Sequence, residues 1–281
     1  MRRVLKAALQ GLLILPLLLL LVAALQAPNN LQPANIDGGF SQWAAPDWQH
    51  PLGTDGYGYD VWEEVGVAAK NTLKLFSLPV LLFVFIGIIL GIILGNTSGW
   101  LIKTMNLLFN ILNSFPLLML IILVIILIDG FYDSVTSFQK STYTLIFYSL
   151  VASTKLASEI RGRIEVLRNE DFVESAVAIG LSPPVITLKH ILFYYCLNII
   201  ISQVLHFINQ LLFLEVTLSY LKLIGNFSFM TFGQLFTNSY GALNSTWTLD
   251  RWQALVPSII IMYLIMLFTL SGKKVSKYVF R

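Results

Sequence analysis

Long apolar runs alternate with short polar breaks along this chain, and one break is far longer than the others. The apolar runs cover residues 7–27, 75–102, 104–128, 141–154, 190–214 and 252–272. About 20 apolar residues cross roughly 30 Å of hydrocarbon, so five of the six are long enough. The run at 141–154 falls short unless Lys155 snorkels to the boundary and lets the helix continue. The pattern predicts an all-α integral membrane protein with six transmembrane helices. Gly95-Asn96-Thr97-Ser98-Gly99 reads as the turn after the second run, and Pro116 is expected to kink the third.

The long break spans residues 158–192 and sets Arg161, Arg163, Arg168 and Lys189 against Glu159, Glu165, Glu170, Asp171 and Glu174. One ionised side chain at mid-bilayer costs about 2.5–3.5 kcal/mol on insertion scales, so this segment belongs in water. It reads as a docking surface for a soluble partner. Between 169 and 179, Phe172, Val173, Ala176, Val177 and Ile179 recur at helical spacing, with acids in the first turn where the helix dipole favours them. Gly180 is expected to stop that helix, and Ser182-Pro183-Pro184 to start another. The result is helix, corner, helix, with small residues where another protein would approach.

Of 281 residues, 56% are apolar and 12% charged, which excludes an ordinary soluble domain. The net charge of +3 does not indicate nucleic acid, because the basic residues follow the ends of the apolar runs. Placing the amino terminus and the 158–189 loop inside puts thirteen of the eighteen Lys and Arg residues inside, against five for the reverse. Both ends are then cytoplasmic. Arg2, Arg3 and Lys6 ahead of the first run also fit a signal peptide with small residues near 24–27, but the expectation is a retained anchor. Residues 28–71 form an outside loop rich in turn residues and aromatics, with 61–67 a short interfacial helix. A second outside segment covers 215–250, and a basic tail covers 273–281.

The fifth run carries Asn198, Ser202, Gln203, His206, Asn209 and Gln210. Ser202, His206 and Asn209 or Gln210 share a helical face, which lines a wet pathway or bonds to neighbouring helices. The third run carries Asn106, Asn110, Asn113 and Ser114 at similar spacing, with the same two readings. Catalytic chemistry has no residues to rest on. His50, His190 and His206 fall in three compartments, Cys196 is alone, and no HExxH, CxxC, GxSxG or phosphate-binding loop occurs. Asp55 and Asp60 flank turn glycines and read as turn caps, and Glu63-Glu64 as a solvated face.

Five motifs in order resemble one family. They are His50-Pro51-Leu52-Gly53-Thr54-Asp55 with Gly58-Tyr59-Asp60-Val61, Arg161-Gly162, Phe172-Val173-Glu174-Ser175-Ala176 with Gly180, Leu218-Ser219-Tyr220-Leu221 with Gly233, and Pro257. From about 50 to 274 the chain resembles the second permease subunit of dipeptide/oligopeptide importers driven by ATP-binding-cassette (ABC) ATPases. It departs at Ser175 (for alanine), Phe193 (for proline), Tyr59 (for arginine), Phe232 (for tryptophan) and Lys273-Lys274 (for an acidic turn).

The resemblance implies a type I importer permease fold in the bacterial inner membrane. Residues 1–27 would be an anchor, 28–71 a periplasmic loop, 72–272 the transmembrane domain with its coupling loop at 158–189, and 273–281 a cytoplasmic tail. It implies a non-catalytic subunit with no cofactor of its own, ATP and Mg being held by two partner ATPases. A second permease and a periplasmic or lipoprotein substrate-binding protein would complete the complex. Glu174, Ser175, Ala176, Gly180, Leu181, Ser182 and Pro183 would dock the ATPase, and Asn110, Ser202, His206, Asn209 and Gln210 would line the pathway. The alternative is a permease-like scaffold that passes ATPase movement to an envelope partner without carrying solute. A transporter should contain a polar cavity, and a scaffold a closed apolar centre.

Overall fold

The computed structural model describes residues 21–28, 35–36, 39–40, 42–131, 135–168, 170–181, 185–224, 229–245 and 249–279. Helices dominate them: α1 Val61–Gly95, α2 Trp100–Ser114, α3 Leu117–Phe131, α4 Ser137–Leu167 and α5 Asp171–Ala178. A π-wound segment, Ile186–Cys196, then runs directly into α6 Leu197–Tyr220; α7 Phe232–Ser245, a 3₁₀ segment Leu249–Leu255 and α8 Val256–Val279 follow. Two short strands, β1 Asn35–Ile36 and β2 Gly39–Phe40, pair antiparallel with Asn35 opposite Phe40. Among the described residues three helices are long and apolar enough to cross a bilayer, and α2 with α3 would make a fourth if that pair is one span. Most of the first apolar run lies outside the described residues.

Local chemistry explains where these elements differ from expectation. α1 starts at Val61, so residues 61–67 are its first two turns and not a separate interfacial helix. Asp60 caps it, its Oδ1 accepting from the Trp62 N–H at 2.7 Å. Glu64, expected on a solvated face, is only 5% exposed. The third apolar run is not one continuous helix: α2 and α3 meet at 86°. Phe115, ahead of Pro116, is forced into extended backbone (φ −78°, ψ 139°), which ends α2 outright. α6 continues past residue 214, so Glu215 lies inside a helix and is buried, where an outside segment was expected to begin.

The chain divides into two compact units, residues 1–75 with 212–267 and residues 76–211 with 268–281. In the first, Glu215 is held by three donors: the hydroxyls of Thr231 and Ser219 and the Gly233 N–H at 2.9 Å. Thr72 accepts from the Phe232 N–H at 3.1 Å, and Asn71 donates to the Met230 carbonyl at 2.8 Å. Glu215, Thr72 and Asn71 therefore carry their own partners inside this unit, as a medium without water requires.

In the second unit α1 lies against α4 at backbone distance. A Cβ on Gly87 would stand 2.6 Å from Leu156, one on Gly91 2.8 Å from Ile160, and one on Gly95 2.6 Å from Ile164. Three glycines one turn apart thus form a groove for three branched side chains one turn apart, the small-residue packing that substitutes for a hydrophobic drive inside lipid. α4 is capped by Thr136, which exchanges bonds with Gln139. Its buried hydroxyls, including Thr144, Ser149, Ser153 and Thr154, bond to carbonyls about one turn back, so a polar helix needs no outside partners for them.

Gly91→Val should overpack this groove and cost about 1–3 kcal/mol, read as a lower melting temperature of the purified protein. Adding Ile160→Ala should recover part of that loss. Equal losses in the single and double variants would show that the two side chains do not meet.

Candidate functional site

Two features of the second unit are candidates, the charged elbow around α5 and a polar cavity between helices. The elbow ends as a left-handed corner. Gly180 has φ +87°, its N–H donates to the Val177 carbonyl at 2.9 Å, and the Leu181 N–H donates to the Ala176 carbonyl at 3.1 Å. That pair of bonds is the Schellman motif, and its αL residue is the glycine expected to stop the helix. Ser182 and Pro183 lie outside the described residues.

The face α5 turns outward differs from the expected one. Glu174 and Ser175 are exposed, Val177 and Ile179 are 55% and 78% exposed, but Ala176 and Val173 are buried against the chain. Ala176 is thus a packing residue of the elbow, and the outward small residues are Ser175, Ala178 and Gly180.

The elbow is rooted at several points. Phe172 stacks on Tyr195 of the π-wound segment at 5.5 Å, and the Arg163 guanidinium lies over the same ring at 5.9 Å. Arg168 donates to the Gly95 carbonyl at 2.8 Å, capping the end of α1, and Thr187 bonds to Asn96 at 3.1 Å. A cavity of about 700 Å³ lies behind α5, with Arg168, Val173, Glu174 and Thr187 in its wall. Of the charges read as a water-side docking surface, Glu159, Arg161, Arg163 and Arg168 are engaged within the chain, while Glu165, Glu170, Asp171 and Glu174 are exposed. α4 continues as one helix to Leu167 before the elbow begins.

The predicted stripe on α6 separates into two environments. Ser202, His206 and Asn209 line a cavity of about 910 Å³, joined by Gln203, Lys155, Thr269 and Lys273-Lys274. Asn209 donates to Thr269 at 3.0 Å and Ser202 to the Gly272 carbonyl at 3.2 Å, while the Asn209 Oδ1 is buried without a partner. Gln210 faces a smaller space of about 210 Å³, where it accepts from the Tyr148 hydroxyl at 2.9 Å. Gln203 reaches Glu159 of α4.

The Asn stripe of the third run is not a cavity wall as a whole. Asn106 accepts from Arg161 at 2.7 Å, Asn113 donates to Thr154 at 3.3 Å and borders the smaller space, and Asn110 is exposed and lines neither cavity. Lys155, which borders both spaces, was expected only to anchor a helix end. Its one available signal was a charge one residue beyond the shortest apolar run, which carries several Ser and Thr residues. No three His, Cys, Asp or Glu side chains group as metal ligands among the described residues.

Comparison with known proteins adds the family. The model of the family described as binding-protein-dependent transport system inner membrane component matches residues 87–279. The dipeptide transport system permease protein DppC of Alkalihalophilus pseudofirmus is 25% identical over 81% of this chain and 70% of its own length. The oligopeptide transport system permease protein OppC of Haemophilus influenzae is 32% identical over 53% of this chain and 46% of its own. The glutathione transport system permease protein GsiD of Escherichia coli is 27% identical over 61% and 52%. The match thus spans about half the length of the latter two relatives.

Tyr148 holds the wall between α4 and α6 in two ways, through its hydroxyl to Gln210 and through its ring, stacked 5.4 Å from Phe207. Tyr148→Phe should cost about 0.5–1.5 kcal/mol and Tyr148→Ala about 3–5 kcal/mol in denaturation of the purified protein. Equal costs would mean the ring does not support the wall.

Proposed function

The chain belongs to the family of binding-protein-dependent transport system inner membrane components, and on that premise we propose that it is a permease subunit of an ATP-driven importer for peptides or a similar small solute. The relatives named for dipeptide, oligopeptide and glutathione transport support that solute class. The subunit is non-catalytic. A second permease, two cytoplasmic ABC ATPases that hold ATP and Mg, and a substrate-binding protein outside complete the complex.

In this reading the chain crosses the bacterial inner membrane six times with both ends cytoplasmic. The spans are the run at 7–27, α1, the broken pair α2–α3, α4, the π-wound segment with α6, and α8. Residues 1–27 are the anchor, 28–71 the outside loop, 72–272 the transmembrane domain with its coupling loop at 158–189, and 273–281 the tail. The bonds from Arg168 to Gly95 and from Thr187 to Asn96 support placing the 95–99 turn and the elbow on one and the same side of the membrane.

One observation carries the mechanism: α5 presents an exposed apolar and small-residue face while its other side is rooted in α4, α1 and the π-wound segment. An ATPase that grips Glu174, Ser175 and the corner through Gly180, Leu181, Ser182 and Pro183 would move those helices with it. Coupling of this kind needs a packed element that both ends bias, and the elbow has that build. The cavity at Ser202, His206 and Asn209 is where cargo would pass; Gln210, on the smaller space, and Asn110, on the exposed surface of α2, would meet cargo only outside that cavity. The polar side chains in that cavity's wall, set beside Phe268 and Leu270, favour transport over the scaffold reading, which calls for a closed apolar centre.

The test is the reconstituted complex in proteoliposomes. Ile179→Asp or Ser175→Trp should leave assembly and ATP hydrolysis in place and reduce solute uptake about tenfold or more, a loss of about 1.4 kcal/mol of coupling. Normal uptake by both variants would sink the docking assignment. Combined alanine at His206, Asn209 and Gln210 should lower uptake without disturbing assembly; if neither changes, the polar stripe is filler.

A further inference from the structure

The first unit contains a small buried space that the transport reading does not use. It has a volume of about 30 Å³ and is bordered by Asp55, Glu64, Asn238, Ser239 and Gln253, with Trp43 against it. A space of that size holds one ion or one water and no organic solute. The turn 53–60 and the start of α1 bring the two carboxylates to it, and α7 and the 3₁₀ segment bring the neutral oxygens.

The bonding there does not close. Asp55 is a turn cap, its Oδ1 accepting from the N–H groups of Tyr57 and Tyr59 at 2.8 Å each. Burial nevertheless pushes its carboxyl above the usual range, against the pull of those N–H groups. Asp60, nearby, is hydrogen-bonded to the His50 Nδ1 at 2.9 Å. Glu64 is 5% exposed and has neither a hydrogen-bond nor a salt-bridge partner for its carboxylate among the described residues. Gln253 is 2% exposed; its Nε2 donates to the Ala44 carbonyl at 3.0 Å and its Oε1 is left without a partner. Arg251 lies over the Trp43 ring, 5.4 Å from its centroid, and is not among the residues that border the space.

Around one ion-sized space stand two carboxylates and an amide oxygen, and of these the Glu64 carboxylate and the Gln253 Oε1 accept no hydrogen bond among the described residues. A water brings two protons, fewer than these oxygens can take. A hard divalent cation answers all of them at once, and calcium accepts a mixed, irregular set of carboxylate, amide and hydroxyl oxygens more readily than magnesium does. We propose that this space is a calcium-class cation site, with Glu64 and Asp55 as its charged ligands and Gln253 and Ser239 as neutral ones. The bound ion would clamp the turn 53–60, the start of α1, α7 and the 3₁₀ segment together. The inference is independent of the transport reading.

Trp43 supplies the test, since it borders the space and can pass excitation to terbium, a luminescent stand-in for calcium. The full chain, purified in detergent and stripped with chelator, is titrated with terbium chloride. Saturable sensitised emission is expected, displaced by calcium with a dissociation constant of about 10⁻⁴–10⁻³ M, the range of modestly charged sites, and poorly by magnesium. Trp43→Phe should remove most of the emission. Glu64→Gln, which keeps the side-chain shape, should weaken terbium binding about tenfold or more while eluting as a folded protein; Asp55→Asn serves if it does not. Calcium should also raise the melting temperature of the wild type and not of the Glu64→Gln protein. Emission that never saturates, that survives Trp43→Phe undiminished, or that is unchanged in both carboxylate variants would overturn the proposal, leaving the space to a water.

Discussion

Close approach of α1 to α4 is the contact on which the second unit rests. Lipid offers helices no hydrophobic reason to associate, so association depends on packing and on bonds between them. Gly87, Gly91 and Gly95 allow Leu156, Ile160 and Ile164 to reach the α1 backbone. With the two helices in register, the last turn of α4 arrives beside the last turn of α1. Arg168 can then take the Gly95 carbonyl, and α5 leaves from a fixed point. The origin of the elbow is set by a glycine groove on α1 that holds the last turns of α4.

The same solvent logic governs the polar residues. The hydroxyls along α4 bond back to their own helix, Glu215 collects three donors, and Tyr148 gives its proton to Gln210. These groups are satisfied inside the protein, so the lipid-facing surface stays apolar while the interior does not. Besides the Nε of Arg163, two side-chain oxygens are left over among the described residues and stand out for that reason: the Oδ1 of Asn209 beside the large cavity and the Oε1 of Gln253 beside the small one. One belongs to a wet passage in our reading and the other to an ion.

How much of this was legible beforehand follows from the range of each cause. Short-range backbone rules read well: Gly180 makes the corner, Pro116 breaks the third run, and Asp55 and Asp60 cap their turns. The angle of the break did not, because it depends on what α3 packs against. Helical spacing grouped Ser202, His206 and Asn209 correctly, but Gln210, one position further round the helix, turned to Tyr148 instead. Long-range partners were out of reach. Nothing near Glu64 in sequence says that it is buried, and Ala176, read as a contact for another protein, proved to be a packing residue because Val173 and Ala176 face inward together. Lys155 belongs to the same class, since its cavity is closed by residues more than a hundred positions away.

The right-angle break at Pro116 has a consequence for the surrounding lipid. α3 keeps only 15 residues, which at about 1.5 Å each reach about 22 Å, against about 30 Å of hydrocarbon. A short span is accommodated by thinning the bilayer beside it. If α3 is the half of the broken pair that crosses, the chain carries its own dent in the membrane, and bilayers of short acyl chains would suit it better than thick, ordered ones.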